Sequence, residues 1–379
     1  MDRATARRRR VAFVVLALAA LLGLATGIAL GAAPGEERAA QVEIRMARLL
    51  TPAQLAGERL VAGITGTTVS PQLRQAIRAG RLAGVVLFAE NFPSRAAGRQ
   101  LIRQLQAIPR PRPLHAPLLV MVDQEGGQVV RLSGAPGVSA QEMGERGGSF
   151  SLRQGRLTAA NLLDVGANVD LAPVLDVARP GGVIAETERS FGTNPRQVAT
   201  TAVPFARGLE AGGGVATAKH FPGLGPATEN TDFAVQEIDL PKARLRLVDE
   251  TPYEAFIRAG GRMVMLSTAI YPAFSDVPAA FTRAIATGEL RRRLGFRGVS
   301  ITDALETAAV DAFGGPGQAG VAAARAGVDL LLLTDLAGAE AAQRALLAKL
   351  RAGKLDRAEF LAAAGRVLDL RAELPGFQD

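Results

Sequence analysis

Lys219-His220-Phe221-Pro222-Gly223 ends the apolar run Gly214–Ala218 and hands a cation and an imidazole to a turn. A second apolar run, Val299–Thr302, ends on a lone carboxylate, Asp303. A third ends in Asp123-Gln124-Glu125-Gly126-Gly127, and a fourth runs through Pro173-Val174-Leu175-Asp176 into a loop holding Glu188-Arg189-Ser190. Beyond the Lys-His pair lies a loop with two more acids, Glu229 and Asp232. Carboxylates with a fixed arginine and a lysine, and no metal-binding cluster, are the components of glycoside hydrolysis. One carboxylate attacks or stabilises the anomeric carbon, a second group protonates the leaving oxygen, and cationic groups grip sugar hydroxyls. This chemistry calls for no metal and no cofactor.

These side chains need elements that bring strand ends together. Eight short apolar runs rich in Val, Ile and Leu read as strands buried on both faces: Leu60–Gly66, Gly84–Ala89, Leu118–Asp123, Asn168–Leu175, Gly214–His220, Met263–Ala269, Val299–Asp303 and Val328–Thr334. Alanine-rich amphipathic stretches alternate with them, among them Pro71–Ala83, Arg95–Ile108, Leu152–Val165, Pro195–Ala211 and Ala337–Ala352. Ser70, Ser94 and Asn194 stand where helix N-caps belong. Eightfold strand–helix alternation predicts an α/β fold, a closed (β/α)₈ barrel forming a single catalytic domain over 46–379. Such barrels keep their chemistry at the C-terminal mouth of the strands. No strand candidate opens a Gly-x-Gly-x-x-Gly turn, which argues against a dinucleotide fold.

The chain opens with Arg7-Arg8-Arg9-Arg10 and then carries no charge from Val11 to Pro34. That run is long enough to span a bilayer, which takes about 20 residues, and Gly31 and Ala33 also suit an export cleavage site. Residues 1–34 therefore read as a signal peptide or membrane anchor, and 35–45 as a tether. The arginines are expected to stay in the cytoplasm and the remainder outside it, anchored or secreted. Cysteine is absent, so neither disulfides nor a cysteine-linked lipid can hold the exported part. The net charge of +8 is partly the leader's: beyond residue 33 there are 39 basic against 35 acidic residues. No long basic block remains, and nucleic acid is excluded as a partner. The oligomeric state is not legible.

With these residues in view the chain resembles glycoside hydrolase family 3, in particular its single-domain bacterial β-N-acetylglucosaminidases that trim peptidoglycan sugars. The similarity runs from about Leu49 to Leu374. It is carried by Val122-Asp123-Gln124-Glu125-Gly126-Gly127, Ala172-Pro173-Val174-Leu175-Asp176-Val177, Arg189-Ser190-Phe191-Gly192, Lys219-His220-Phe221-Pro222-Gly223 and Thr302-Asp303-Ala304-Leu305, in the family's order. The resemblance implies that Asp303 is the nucleophile and that Asp123, Arg189, Lys219 and His220 bind the sugar.

The acid/base loop departs from the pattern. Where the family has an Asp-x-His pair, this chain has Asn230 and Asp232. Asp232 is the candidate acid/base if its environment raises its pKa, with Glu229 as the alternative. Ala304 also replaces a second aspartate, Gln128 an arginine, and Thr268 a histidine. The first reading is thus a retaining exo-acting hydrolase of amino-sugar ends. A β-glucosidase-like member and a catalytically impaired sugar binder are the other readings. The chain has no tryptophan, and Phe191, Phe221 and Phe233 are the aromatics expected near the site, which favours a short sugar end. His115 reads as a linker residue, and Glu306 as a charge facing the start of its own helix.

Overall fold

Eight parallel strands wrap in the order of the sequence: β1 Leu60–Gly63, β2 Gly84–Leu87, β3 Leu119–Val122, β4 Val169–Asp170, β5 Val215–Phe221, β6 Met263–Leu266, β7 Val299–Thr302 and β8 Leu331–Leu333. Each pairs in parallel with its predecessor from β2 to β7, and β1 pairs with β8. A parallel bridge between Ile301 and Leu330, with Thr302 N–H donating to the Leu330 carbonyl at 3.0 Å, closes the ring. This computed structural model describes residues 47–376; the leader and tether expected over 1–45 lie outside them. The barrel belongs to the compact unit Glu43–Asp379. Among the described residues no helix is long and apolar enough to cross a membrane.

Alternation along the strands builds two cores. Val61, Val86, Leu119, Met121, Val169, Val215, Met263, Met265, Val299, Ile301 and Leu332 pack together inside the barrel. Their neighbours Leu60, Ala62, Val85, Leu87, Val120, Val122, Ala218, Val264 and Leu331 face the surrounding helices. Val367, Leu370 and Leu374 join the inner cluster, so the final helix Arg357–Ala372 and the residues after it plug the barrel from below. Arg371 of that helix is buried, ion-paired with Glu58 and donating to the Pro117, Leu114 and Ala116 carbonyls at the N-terminal ends of β1 and β3. A closed lower end leaves the C-terminal mouth as the open one.

The helix starts fall where cap chemistry puts them. Ser70 accepts from Leu73 N–H at 3.1 Å, Ser94 from Ala97 N–H at 3.1 Å, and Asn194 from Arg196 N–H at 2.9 Å. Several boundaries differ from expectation, and two of them have a local cause. The helix at Pro71 stops at Arg78 because Gly80, at φ 69°, turns the chain. β4 keeps only Val169–Asp170, because Pro173 has no N–H to give the ladder. The extended run resumes past it, with Leu175 N–H donating to the Lys219 carbonyl at 2.7 Å.

Candidate active site

The inward rows of three strands end in polar groups. Leu119 and Met121 lead to Asp123, Val215 and Thr217 to Lys219, and Val299 and Ile301 to Asp303. A period of two therefore carries all three side chains to the top of the barrel interior. A regular strand would turn His220 away from Lys219. The register of β5 against β6 slips between Ala218 and Phe221, and both Lys219 and His220 line the same cleft. Irregularities of this kind re-aim side chains beside active sites. Arg189 arrives from the loop after β4, which Ser190 fastens by donating to the Asp176 carbonyl at 2.7 Å and accepting from Gly192 N–H at 3.1 Å.

Asp123, Arg189, Lys219, His220, Asp232 and Asp303 all line one cleft of about 320 Å³. Lys219 Nζ lies 2.7 Å from Asp123 Oδ1 and 2.6 Å from Glu125 Oε1. Arg189 grips Glu125 with both arms, Nε and Nη2 each 2.8 Å from an oxygen. Arg131 Nη2 reaches Asp123 Oδ2 at 3.3 Å. Burial alone would raise both acids; Lys219 with Arg131 holds Asp123 below the ordinary carboxylate range, and Arg189 with Lys219 holds Glu125 far below it. Burial works against the cations too, yet Asp123 and Glu125 keep Lys219 above its usual value, as Glu125 does for Arg189. The wall is a fully charged, desolvated network.

Asp303 is different. Burial pushes its carboxyl up, a positive charge on the His220 ring would oppose that, and the charge of Asp232 adds to it. Its Oδ1 accepts from Ala304 N–H at 2.9 Å. Asp232 is exposed. Its Oδ2 accepts from Asn230 Nδ2 at 3.1 Å, and its N–H donates back to Asn230 Oδ1 at 3.0 Å. The loop docks on the first turn beyond β7, where Ala308 and Ala309 N–H donate to the Asp232 and Thr231 carbonyls at 3.2 and 3.3 Å. Glu229 does not line the cleft.

Several groups escaped the sequence reading. Glu125 sits one alternation past Asp123, a signal that was present. Phe88 and Thr334 also line the cleft, continuing the inward rows of Val86 and Leu332, as does Arg131, which nothing local announces. Phe191 and Phe221 are 2% and 0% exposed; Phe221 stacks edge-on against Tyr253 at 5.0 Å, so neither can meet a sugar. Glu306 does not serve its own helix. Its Oε2 accepts from Thr334 N–H at 2.8 Å, across to the end of β8.

A closed parallel barrel with acids and bases convergent at its C-terminal mouth defines a (β/α)₈ enzyme. Its residues 41–370 match the glycosyl hydrolase family 3 N terminal domain, and the chain belongs to that family. It is 37% identical over 329 residues to an uncharacterized secreted glycosyl hydrolase of Arthroderma benhamiae, covering 84% of this chain and 93% of the relative. A beta-hexosaminidase of Thioalkalivibrio sulfidiphilus is 35% identical over 284 residues, covering 72% of this chain and 79% of its own. A solved beta-N-acetylhexosaminidase from Beutenbergia cavernae superposes with a TM-score of 0.78 at 33% identity, covering 85% of this chain and 98% of that one.

Proposed function

We propose that this chain is a retaining, exo-acting β-N-acetylglucosaminidase that removes amino-sugar ends from cell-wall fragments. Asp303 attacks the anomeric carbon as the glycosidic C–O bond breaks, and Asp232 gives its proton to the departing oxygen. Asp232 then takes a proton from water, which displaces Asp303 and releases the sugar. Asp123, Arg189, Lys219 and His220 hold the glycone. The reading rests on one observation: Asp303 and Asp232 line the same cleft as the network of Asp123, Lys219, Glu125 and Arg189. The hexosaminidases among its relatives support the choice of glycone.

The cluster Arg7–Arg10 and the uncharged run after it support a barrel working outside the cytoplasm, anchored or released, as does the secreted relative. The exposure of Asp232 favours a second reading, a sugar binder without turnover. One assay separates them. The full chain is given an aryl β-N-acetylglucosaminide beside the matching β-glucoside, and release of the aryl alcohol from the first alone is the expected result. Faster turnover of the glucoside overturns the glycone; inertness toward both, with retained sugar binding, overturns the enzyme.

A further inference from the structure

Asp176 is fully buried just beyond β4 and has a hydrogen bond on each oxygen. Oδ1 accepts two backbone N–H groups, from His220 at 3.2 Å and from Leu224 at 2.7 Å. Oδ2 lies 2.7 Å from His220 Nδ1. A carboxylate whose folded environment supplies backbone donors on one side has only acceptor character to offer on the other. The ring must therefore bring a proton to Nδ1, and Nε2 is the nitrogen left for the cleft that His220 lines.

We infer that Asp176 is a positioning residue that fixes the tautomer of His220, presenting Nε2 to the cleft as a hydrogen-bond acceptor. This rests on the reading of the cleft as a glycone site. The inward groups around the ring are already committed. Lys219 and Arg189 are donors engaged by Asp123 and Glu125, and Asp303 lines the same cleft. A neutral acceptor beside them takes a hydrogen bond from a sugar hydroxyl without adding charge beside the attacking carboxylate. Asp176 itself touches no substrate.

Asp176→Asn tests this with a readout that a merely structural role would not move. The two backbone N–H groups need an oxygen, so the amide carbonyl takes the Oδ1 place and its NH₂ faces the ring. His220 Nδ1 must then accept, and the ring proton moves to Nε2. The chain has two histidines, so ¹⁵N-histidine labelling of the full chain gives two rings. His115→Gln in both backgrounds leaves one ring, whose two nitrogen signals report the tautomer; His115 is exposed, and its loss should leave activity unchanged. At mildly alkaline pH the Asp176 protein is expected to show the Nδ1–H tautomer and the Asn variant the Nε2–H tautomer. The variant's kcat/KM should fall roughly 10- to 100-fold, the cost of a misdirected hydrogen bond at a desolvated site. A proton on Nε2 in the unmutated ring, neutral or cationic, overturns the inference even if the variant fails to fold. An unchanged tautomer in the folded variant overturns it too, whatever the activity. If no β-glycoside is turned over, the hydrolase reading fails, while the ring signals still decide the Asp176–His220 relationship.

Discussion

Glu125 and Arg189 meet as a two-armed pair, each of two guanidinium nitrogens 2.8 Å from its own carboxylate oxygen, on the wall of the cleft. Lys219 adds a third contact at 2.6 Å, so one buried acid balances two cations that reach it from β5 and from the loop after β4. Glu125→Gln keeps the shape and removes the charge. Breaking a buried pair from one side leaves an uncompensated ion, and we expect a loss of roughly 3 kcal/mol in denaturant unfolding. The Arg189 head keeps some access to water, which holds the figure to the lower end. Unfolding indistinguishable from the parent protein would show that the pair is not desolvated in solution.

Asp303→Asn should separate activity from stability. An amide lacks the charge and nucleophilicity to form a covalent intermediate, so turnover should drop by at least about 10³-fold. Burial raises the Asp303 carboxyl, so its ionised form costs folding energy at neutral pH, and the amide should unfold at the same or a higher temperature. A variant keeping more than about a tenth of the activity would remove Asp303 from the reaction, since loss of the nucleophile cannot be so mild.

Acid should stop the reaction before it unfolds the barrel. As the proposed nucleophile, Asp303 would have to be ionised to attack, and its raised pKa would place the acid limb of kcat/KM above the ordinary carboxylate range. Asp123 and Glu125 are shifted downward. The stability they contribute is present above their unfolded pKa values and is lost only as pH falls through the lower folded ones. Rates and circular dichroism recorded across the same pH series should show a window of folded, reversibly inactive protein. Coincident transitions would contradict the assignment.

If Asp232 protonates the leaving oxygen, its removal should matter most where the leaving group is poor. Asp232→Ala should slow a natural disaccharide by about 10²–10⁴-fold, the usual worth of general acid catalysis, and an activated aryl glycoside much less. Azide should restore part of the aryl turnover by intercepting the glycosyl-enzyme. Equal losses without rescue would move the role elsewhere.

Glu306 offers a check at the edge of the cleft. Burial pushes its carboxyl up to about 7, and Oε1 is buried without a partner. Because the folded pKa exceeds the unfolded one, its contribution is full below the unfolded value and lost as pH rises through about 7. Glu306→Gln should leave stability unchanged in acid and increase it above that pH. A constant difference at every pH would mean that the carboxyl is not perturbed.

Much of this was written locally. Eight apolar runs separated by capped, alanine-rich stretches specify a parallel barrel, because strands buried on both faces must be covered by helices. Ser70, Ser94 and Asn194 mark their helix starts by short-range hydrogen bonds that need only neighbours in the chain. Asp123, Lys219 and Asp303 were legible as strand ends, because period two and the closed barrel send them to one mouth.

What tertiary structure decided is which of these groups meet, and in what state. Arg131 reaches the cleft from a loop whose path follows no period, and Phe221 leaves it for the core beside Tyr253. Asp176 and His220 are 44 residues apart in sequence, and no spacing rule pairs them. Ionisation follows the same division. Residue type says only that Asp123 and Asp303 are both acids, whereas burial acts on both and Lys219 with Arg131 overcomes it at the first alone. A strand end is a local property, but a pKa is a sum over neighbours that folding alone assembles.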